Sequence, residues 1–146
     1  MVDRARSRLV IAADTAALLA VIADFEAYPQ WSTAIKTVTV DETGADGRGT
    51  RATFTLDAGV LKDTYTLAYD WDGDDRVDWH LVSGRALKAQ VGNYQLRETG
   101  GGTEVTYELA VDLAVPMLGM FKRKAERAII DTALKGLKKR VEAGGG

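Results

Sequence analysis

Apolar positions along the chain keep a helical period, then an alternating one, then a helical one again. Leu18, Val21, Ile22 and Phe25 recur at the i, i+3, i+4, i+7 spacing of one helical face, with Asp14 placed to cap the run and SRLVIAAD before it reading as a short strand. Pro29 then biases Tyr28 away from helical backbone, which predicts a helix end or a sharp turn. From Ala34 to Leu113 the period is two, between the turn clusters ETGADGRG, DAGVLKD, DGDD, VSGR and ETGGGT. One phase of this alternation holds Ala52/Phe54/Leu56, Tyr65/Leu67/Tyr69/Trp71, Val77/Trp79/Leu81 and Tyr94/Leu96. The last strand is the clearest: Val105, Tyr107, Leu109, Val111 and Leu113 point one way, and Glu104, Thr106, Glu108 and Asp112 the other. From Pro116, suited to a first helical turn, to Val141 only Gly119 and Gly136 interrupt a helix of about 25 residues, ~37 Å long. Met117, Phe121, Ala125, Ala128, Ile129, Thr132 and Leu137 are expected on its inward face, and EAGGG as a frayed tail.

This order predicts an α+β fold: a curved antiparallel sheet of six to seven strands wrapped round a long C-terminal helix, with one or two short helices after the first strand. Val105, Tyr107, Leu109 and Val111 should face that helix. The inward-facing phase is rich in rings of awkward shape (Phe54, Tyr65, Tyr69, Trp71, Trp79, Tyr94, Tyr107), and the start of the helix offers Met117, Gly119 and Met120. Such a set suits a cavity better than a filled core. The stretch DFEAYPQWSTAIKTV places Phe25, Tyr28 and Trp31 around one proline at the joint between helix and sheet. Surface joints are usually polar, so these rings must cover or line something.

A chain of 146 residues fits one domain, residues 1–146 with about 144–146 frayed, and can bury its core without staples. The absence of cysteine excludes disulfides and thiolate chemistry. The formal net charge of −2 argues against a nucleic-acid partner, but it hides an asymmetry. Between Lys122 and Arg140 eight basic residues face only Glu126 and Asp131, so this segment carries +6 and the remainder −8. A solvated helix face accounts for it, the late lysines complementing the helix dipole. The apolar run near the N-terminus is too short for a signal peptide, and no stretch is long enough for stable membrane insertion. The expectation is a cytoplasmic protein, monomer or homodimer.

Candidate chemistry is sparse. His80, the only histidine, lies opposite in phase to Val77, Trp79 and Leu81, which places it on the outer face and removes histidine-based metal sites. Ser7, Ser32 and Ser83 sit on no nucleophile elbow. DWDGDDRVD places its glycine wrongly for a calcium loop, and TGGGTE precedes no helix, so both are turns. No metal and no cofactor are expected, and no catalytic residue is assigned. The inward tyrosines are the better candidates, because several phenols converging on a cavity can hydrogen-bond an apolar ligand's oxygens. Lys88 and Gln90 share the phase of Tyr94 and Leu96 and are expected at the cavity mouth.

Three strings carry a family likeness over nearly the whole chain: IAADTAALLAVIADFEAYPQW, GNYQLRETGGGTEVTYELAVDL and VPMLGMFKRKAERAIIDTALKGLKKRVE. They resemble the START-like (SRPBCC, helix-grip) superfamily of polyketide cyclase/dehydrase, coenzyme Q-binding and lipid-transport proteins. The resemblance implies a deep apolar pocket between sheet and last helix. Tyr28, Trp31, Phe54, Tyr65, Tyr69, Trp79, Lys88, Tyr94, Tyr107, Met117, Met120 and Phe121 are the expected ligand-binding residues. The function expected is binding of a hydrophobic small molecule such as a lipid, isoprenoid or polyketide. The alternatives are an aromatase/cyclase acting on a poly-β-ketone, and an interaction module docking through the basic helix. The carboxylates lie mainly in turns and on the wet phase, which favours the binder.

Overall fold

The computed structural model describes residues 5–57, 59, 62–113 and 119–145. Its strands are β1 (Ala5–Ile11), β2 (Ile35–Thr43), β3 (Gly49–Asp57), β4 (Lys62–Asp72), β5 (Arg76–Ser83), β6 (Leu87–Thr99) and β7 (Gly102–Leu113). They form one curved antiparallel sheet in the order β1-β7-β6-β5-β4-β3-β2. Two helices, α1 (Thr15–Ala23) and α2 (Gly119–Arg140), complete the helix-grip fold, with a 3₁₀ segment Phe25–Gln30 after α1 and a wider last turn Val141–Gly145. The expected architecture and strand number are both present.

Local signals act as read. The Asp14 carboxylate accepts the Ala17 N–H at 2.8 Å and caps α1. Leu18, Leu19, Val21 and Ile22 are its buried positions. Phe25 does not continue that stripe: α1 stops at Ala23, and Phe25 opens the 3₁₀ segment that contains Pro29. Val105, Tyr107, Leu109 and Val111 are all buried on the covered face of β7.

α2 presents two apolar faces where the sequence suggested one. Ile130, Leu134, Leu137 and Val141 are buried in the core, where α2 packs against β1 and β7. Ala125, Ala128, Ile129, Thr132 and Ala133 line a cavity instead. Met117 lies outside the described residues, and the side chains of Met120 and Phe121 are likewise outside them.

Two carboxylates are buried on backbone duty. Glu126, only 2% exposed, accepts the Val111 N–H at 2.8 Å. Val111 lies past the final β1–β7 pair, Ala5–Leu109, so this carboxylate takes the place of a missing strand partner. Asp63, the second residue of β4, collects four N–H groups: Thr64 at 2.8 Å, Arg85 at 3.1 Å, Ala86 at 3.1 Å and Leu87 at 2.9 Å. It thereby fixes the turn from β5 into β6 against the start of β4.

Candidate functional site

The inner face of the sheet is a ladder of rings set by strand register. Phe54 pairs with Tyr65, Tyr69 with Trp79, and Tyr94 with Tyr107. Trp79 has Gly92 opposite it, and a Cβ there would stand 2.6 Å from the indole ring. Glycine therefore lets the indole lie across β6. Trp79 in turn sits 5.4 Å from the Tyr94 ring and 5.5 Å from the Tyr107 ring, between centroids.

The aromatic joint resolves into two roles. Phe25 is a wedge in the core, 4.5 Å from the Tyr69 ring and pressed onto the bare Cα of Gly49. The Tyr28 hydroxyl donates to the Ile22 carbonyl, and its ring lines the cavity beside Trp31. Trp31 docks on α2 at Gly136, where a Cβ would meet the Trp31 carbonyl oxygen at 2.6 Å. The glycine that interrupts the helical pattern is thus the seat of the joint. Gly136→Ala should destabilise the fold by roughly 1–3 kcal/mol although alanine is the better helix former, because the clash is with backbone that cannot yield. Urea unfolding checks this, and a stabilised variant would show that the contact is loose.

Between these walls and α2 lies a cavity of about 360 Å³. Its exposed lining residues, Thr33, Ala128 and Thr132, mark the mouth between the Trp31–Ile35 segment and α2. Of the expected ligand-binding residues, Tyr28, Trp31, Phe54, Tyr65, Tyr69, Trp79, Tyr94 and Tyr107 line it. Lys88 does not: it is exposed, because the β6–β7 register shifts between Leu87 and Ala89 and breaks the alternation there. Gln90, beyond the shift, is buried and lines the wall as its phase implied. Leu56, Leu67 and Leu87 also line it, the first two already marked by their phase.

The cavity's polar groups are mainly hydroxyls and indole N–H groups. Burial raises the pKa of all five tyrosines, and neighbouring phenols raise those of Tyr28, Tyr65, Tyr69 and Tyr94 further. Each phenol is therefore neutral at ordinary pH. Among the described residues only Tyr28 has a hydrogen-bond partner for its hydroxyl; those of Tyr65, Tyr69, Tyr94 and Tyr107 have none. The indole N–H groups of Trp31 and Trp79 are buried without partners too. Asp57 is the one carboxylate among the described lining residues, and no lysine, arginine or histidine joins it. Among the described residues no cluster of three or more His, Cys, Asp or Glu could hold a metal ion. No helix among them is long and apolar enough to cross a membrane.

Residues 3–142 match the sequence profile of the family described as polyketide cyclase/dehydrase and lipid transport. The chain belongs to this family. An uncharacterized protein of Mycobacterium tuberculosis strain H37Rv is 30% identical over 101 residues, 68% of this chain and 59% of that one. The chain thus spans about 59% of the length of the curated relatives it matches. Among solved structures, a START superfamily protein from Mycobacterium smegmatis superposes with a TM-score of 0.89 at 22% identity, covering 96% of this chain and 97% of that one. The Zhui aromatase/cyclase from Streptomyces sp. R1128 superposes with a TM-score of 0.78 at 14% identity, covering 100% and 99%. These likenesses establish the shared fold. Within the polyketide cyclase/dehydrase family, this chain's described cavity lining offers hydroxyl, amide and indole groups and a single carboxylate at its rim.

Proposed function

We propose that the chain binds an apolar, oxygen-bearing small molecule, lipid-, isoprenoid- or polyketide-like, between the sheet and α2. The observation that carries this reading is an apolar cavity of about 360 Å³ walled by Tyr65, Tyr69, Tyr94 and Tyr107, with the buried, partnerless indole N–H of Trp79 among its lining. A buried donor left unmet costs stability, and sequences keep such groups where something else meets them. Small alanines on α2, rather than leucines, leave the room such a molecule needs.

A second reading is an aromatase/cyclase acting on a poly-β-ketone. The full-length likeness to the Zhui aromatase/cyclase favours it. Neutral phenols could hold ketone oxygens in a folded chain and stabilise charge developing on them. The described lining residues supply no general base of the usual kind beyond Asp57, which ranks the binder first.

The test is solvent extraction of the purified protein followed by mass spectrometry, paired with uptake of an environment-sensitive apolar dye. Ala125→Trp should fill the cavity and cut dye uptake while the melting temperature holds. Leu109→Trp, in the packed core and away from the cavity lining, should instead cost ~1–3 kcal/mol or more. A wild type that carries no extractable molecule and ignores the dye would overturn the proposal.

A further inference from the structure

Charge separates along the sheet. Because neighbouring strands are antiparallel, β2, β4 and β6 start at the end of the sheet where β3, β5 and β7 finish. The other end carries three turns, within the stretches 44–48, 72–76 and 97–104. These hold Asp46, Asp72, Asp74, Asp75, Glu98 and Glu104 against Arg48, Arg76 and Arg97, a net −3. Each of the three arginines is already in an ion pair. That end is acidic.

The first end is basic. Lys36, Lys62, Arg85 and Lys88 stand at its strand ends, all of them exposed. The bond from the Val111 N–H to Glu126 brings the start of α2 to the same place, and with it Lys122, Arg123 and Lys124. Four carboxylates oppose these seven cations, which leaves +3. Two of the four, Asp63 and Glu126, are buried and turned to backbone N–H groups. Asp57 is half-buried and 4.0 Å from Lys62, so Asp112 alone is an exposed carboxylate here.

The cavity opens within this basic end. Ile35, Asp57, Leu87 and Val111 of its lining belong to the same strand ends. On one lip Lys36 donates to the Thr33 carbonyl at 2.9 Å, and on the other Lys124 stands one turn before Ala128. The basic start of α2, read from the sequence as a solvated face, thus joins cations from the sheet around an opening. These cations are spread along a rim and do not converge on one point, which suits an extended anionic surface. Val82 is the only large apolar side chain exposed at this end among the described residues, so the rim lacks the anchors on which protein interfaces depend.

We propose that the basic end is a docking surface for an anionic lipid bilayer, held by charge without insertion and with the cavity mouth turned toward the lipid. The acidic end, repelled by the same surface, faces water and fixes the orientation. Docking stands on charge and position and needs no occupant in the cavity.

The test is sedimentation of the full chain with vesicles of phosphatidylcholine alone or with about a third phosphatidylglycerol. At low salt the chain should bind the second and ignore the first, and about 0.5 M salt should release it as the Debye length falls to about 4 Å. Lys88→Glu with Lys124→Glu should weaken vesicle binding by roughly twentyfold or more, about fivefold per cation lost. Arg8→Glu with Lys139→Glu makes the same change in net charge on the outer face of β1 and at the far end of α2, and should weaken it by less than about threefold. Binding that neutral vesicles share, that salt leaves alone, or that both pairs of substitutions reduce equally overturns the docking surface. A chain that ignores anionic vesicles at low salt overturns it too, and gives the basic end to an acidic protein. Dye uptake without vesicles, measured beside these, reports on the cavity separately, so either reading can fail without the other.

Discussion

Above about pH 10 the protein should lose stability at close to 7 kcal/mol per pH unit and unfold in one step, because four of its five tyrosines are buried, Tyr69 is half-buried, and all five have raised pKa values. The direction follows from proton counts. Below the ordinary tyrosine value of 10 the phenols are protonated in folded and unfolded chain alike, and they add no pH dependence. Above it the unfolded chain releases protons that the folded chain keeps. The unfolded state then binds fewer protons, so stability falls as pH rises. Each phenol contributes ~1.4 kcal/mol per pH unit, and a domain stable by roughly 5–15 kcal/mol is exhausted within one to two units. Ultraviolet absorbance of tyrosinate, read beside circular dichroism, checks this. The two signals should move together, whereas phenols ionising near their ordinary value in a folded protein would show that the cavity admits bulk water.

Asp63→Ala should be among the most damaging single substitutions, at about 3–5 kcal/mol. The carboxylate is 8% exposed and accepts from four backbone N–H groups, three of them consecutive in the turn Arg85–Leu87. Water can reach the exposed Arg85 but not the buried Leu87, so part of the loss is irrecoverable. Asp63→Asn keeps one acceptor oxygen and aims an amide N–H at backbone donors, so it should cost about 2 kcal/mol. The turn leads into Leu87 and Gln90, both on the cavity wall, and dye uptake should fall with stability. Equal stability of wild type and Asp63→Ala in urea would show that the turn holds its shape unaided.

What could be read in advance tracks how local its cause is. Alternation names the covered face of β7 and the ring ladder because a strand's period belongs to the strand itself. It misplaces Lys88 because a register shift depends on the partner strand, at Asp112–Leu113, and leaves no mark in the alternation. The two-faced α2 is legible only in part: the helical spacing marks Ala128, Ile129 and Thr132 as inward but not Ile130 and Leu134. A helix that serves a core on one side and a cavity on the other has too wide an apolar arc for a single stripe. Asp63 and Glu126 gave no signal of burial, since carboxylates are rarely enclosed and their partners are backbone groups far along the chain. The seat of Trp31 on Gly136 joins residues about a hundred positions apart and was visible only as an unexplained break in a helix.

The strand order also dictates when each part can assemble. Strands β2 to β7 neighbour one another in sequence and can zip together hairpin by hairpin, each needing only a short loop to close. β1 has to wait, because Ala5 pairs with Leu109, 104 positions later. On a ribosome the first strand emerges long before its partner, and α1 follows with Leu18, Leu19, Val21 and Ile22 still uncovered. The sticky N-terminal segment is thus the part of the nascent chain most in need of shelter by a chaperone. The cavity closes only when the last helix arrives, so the proposed ligand would stabilise the finished molecule and do nothing for the chain on its way there.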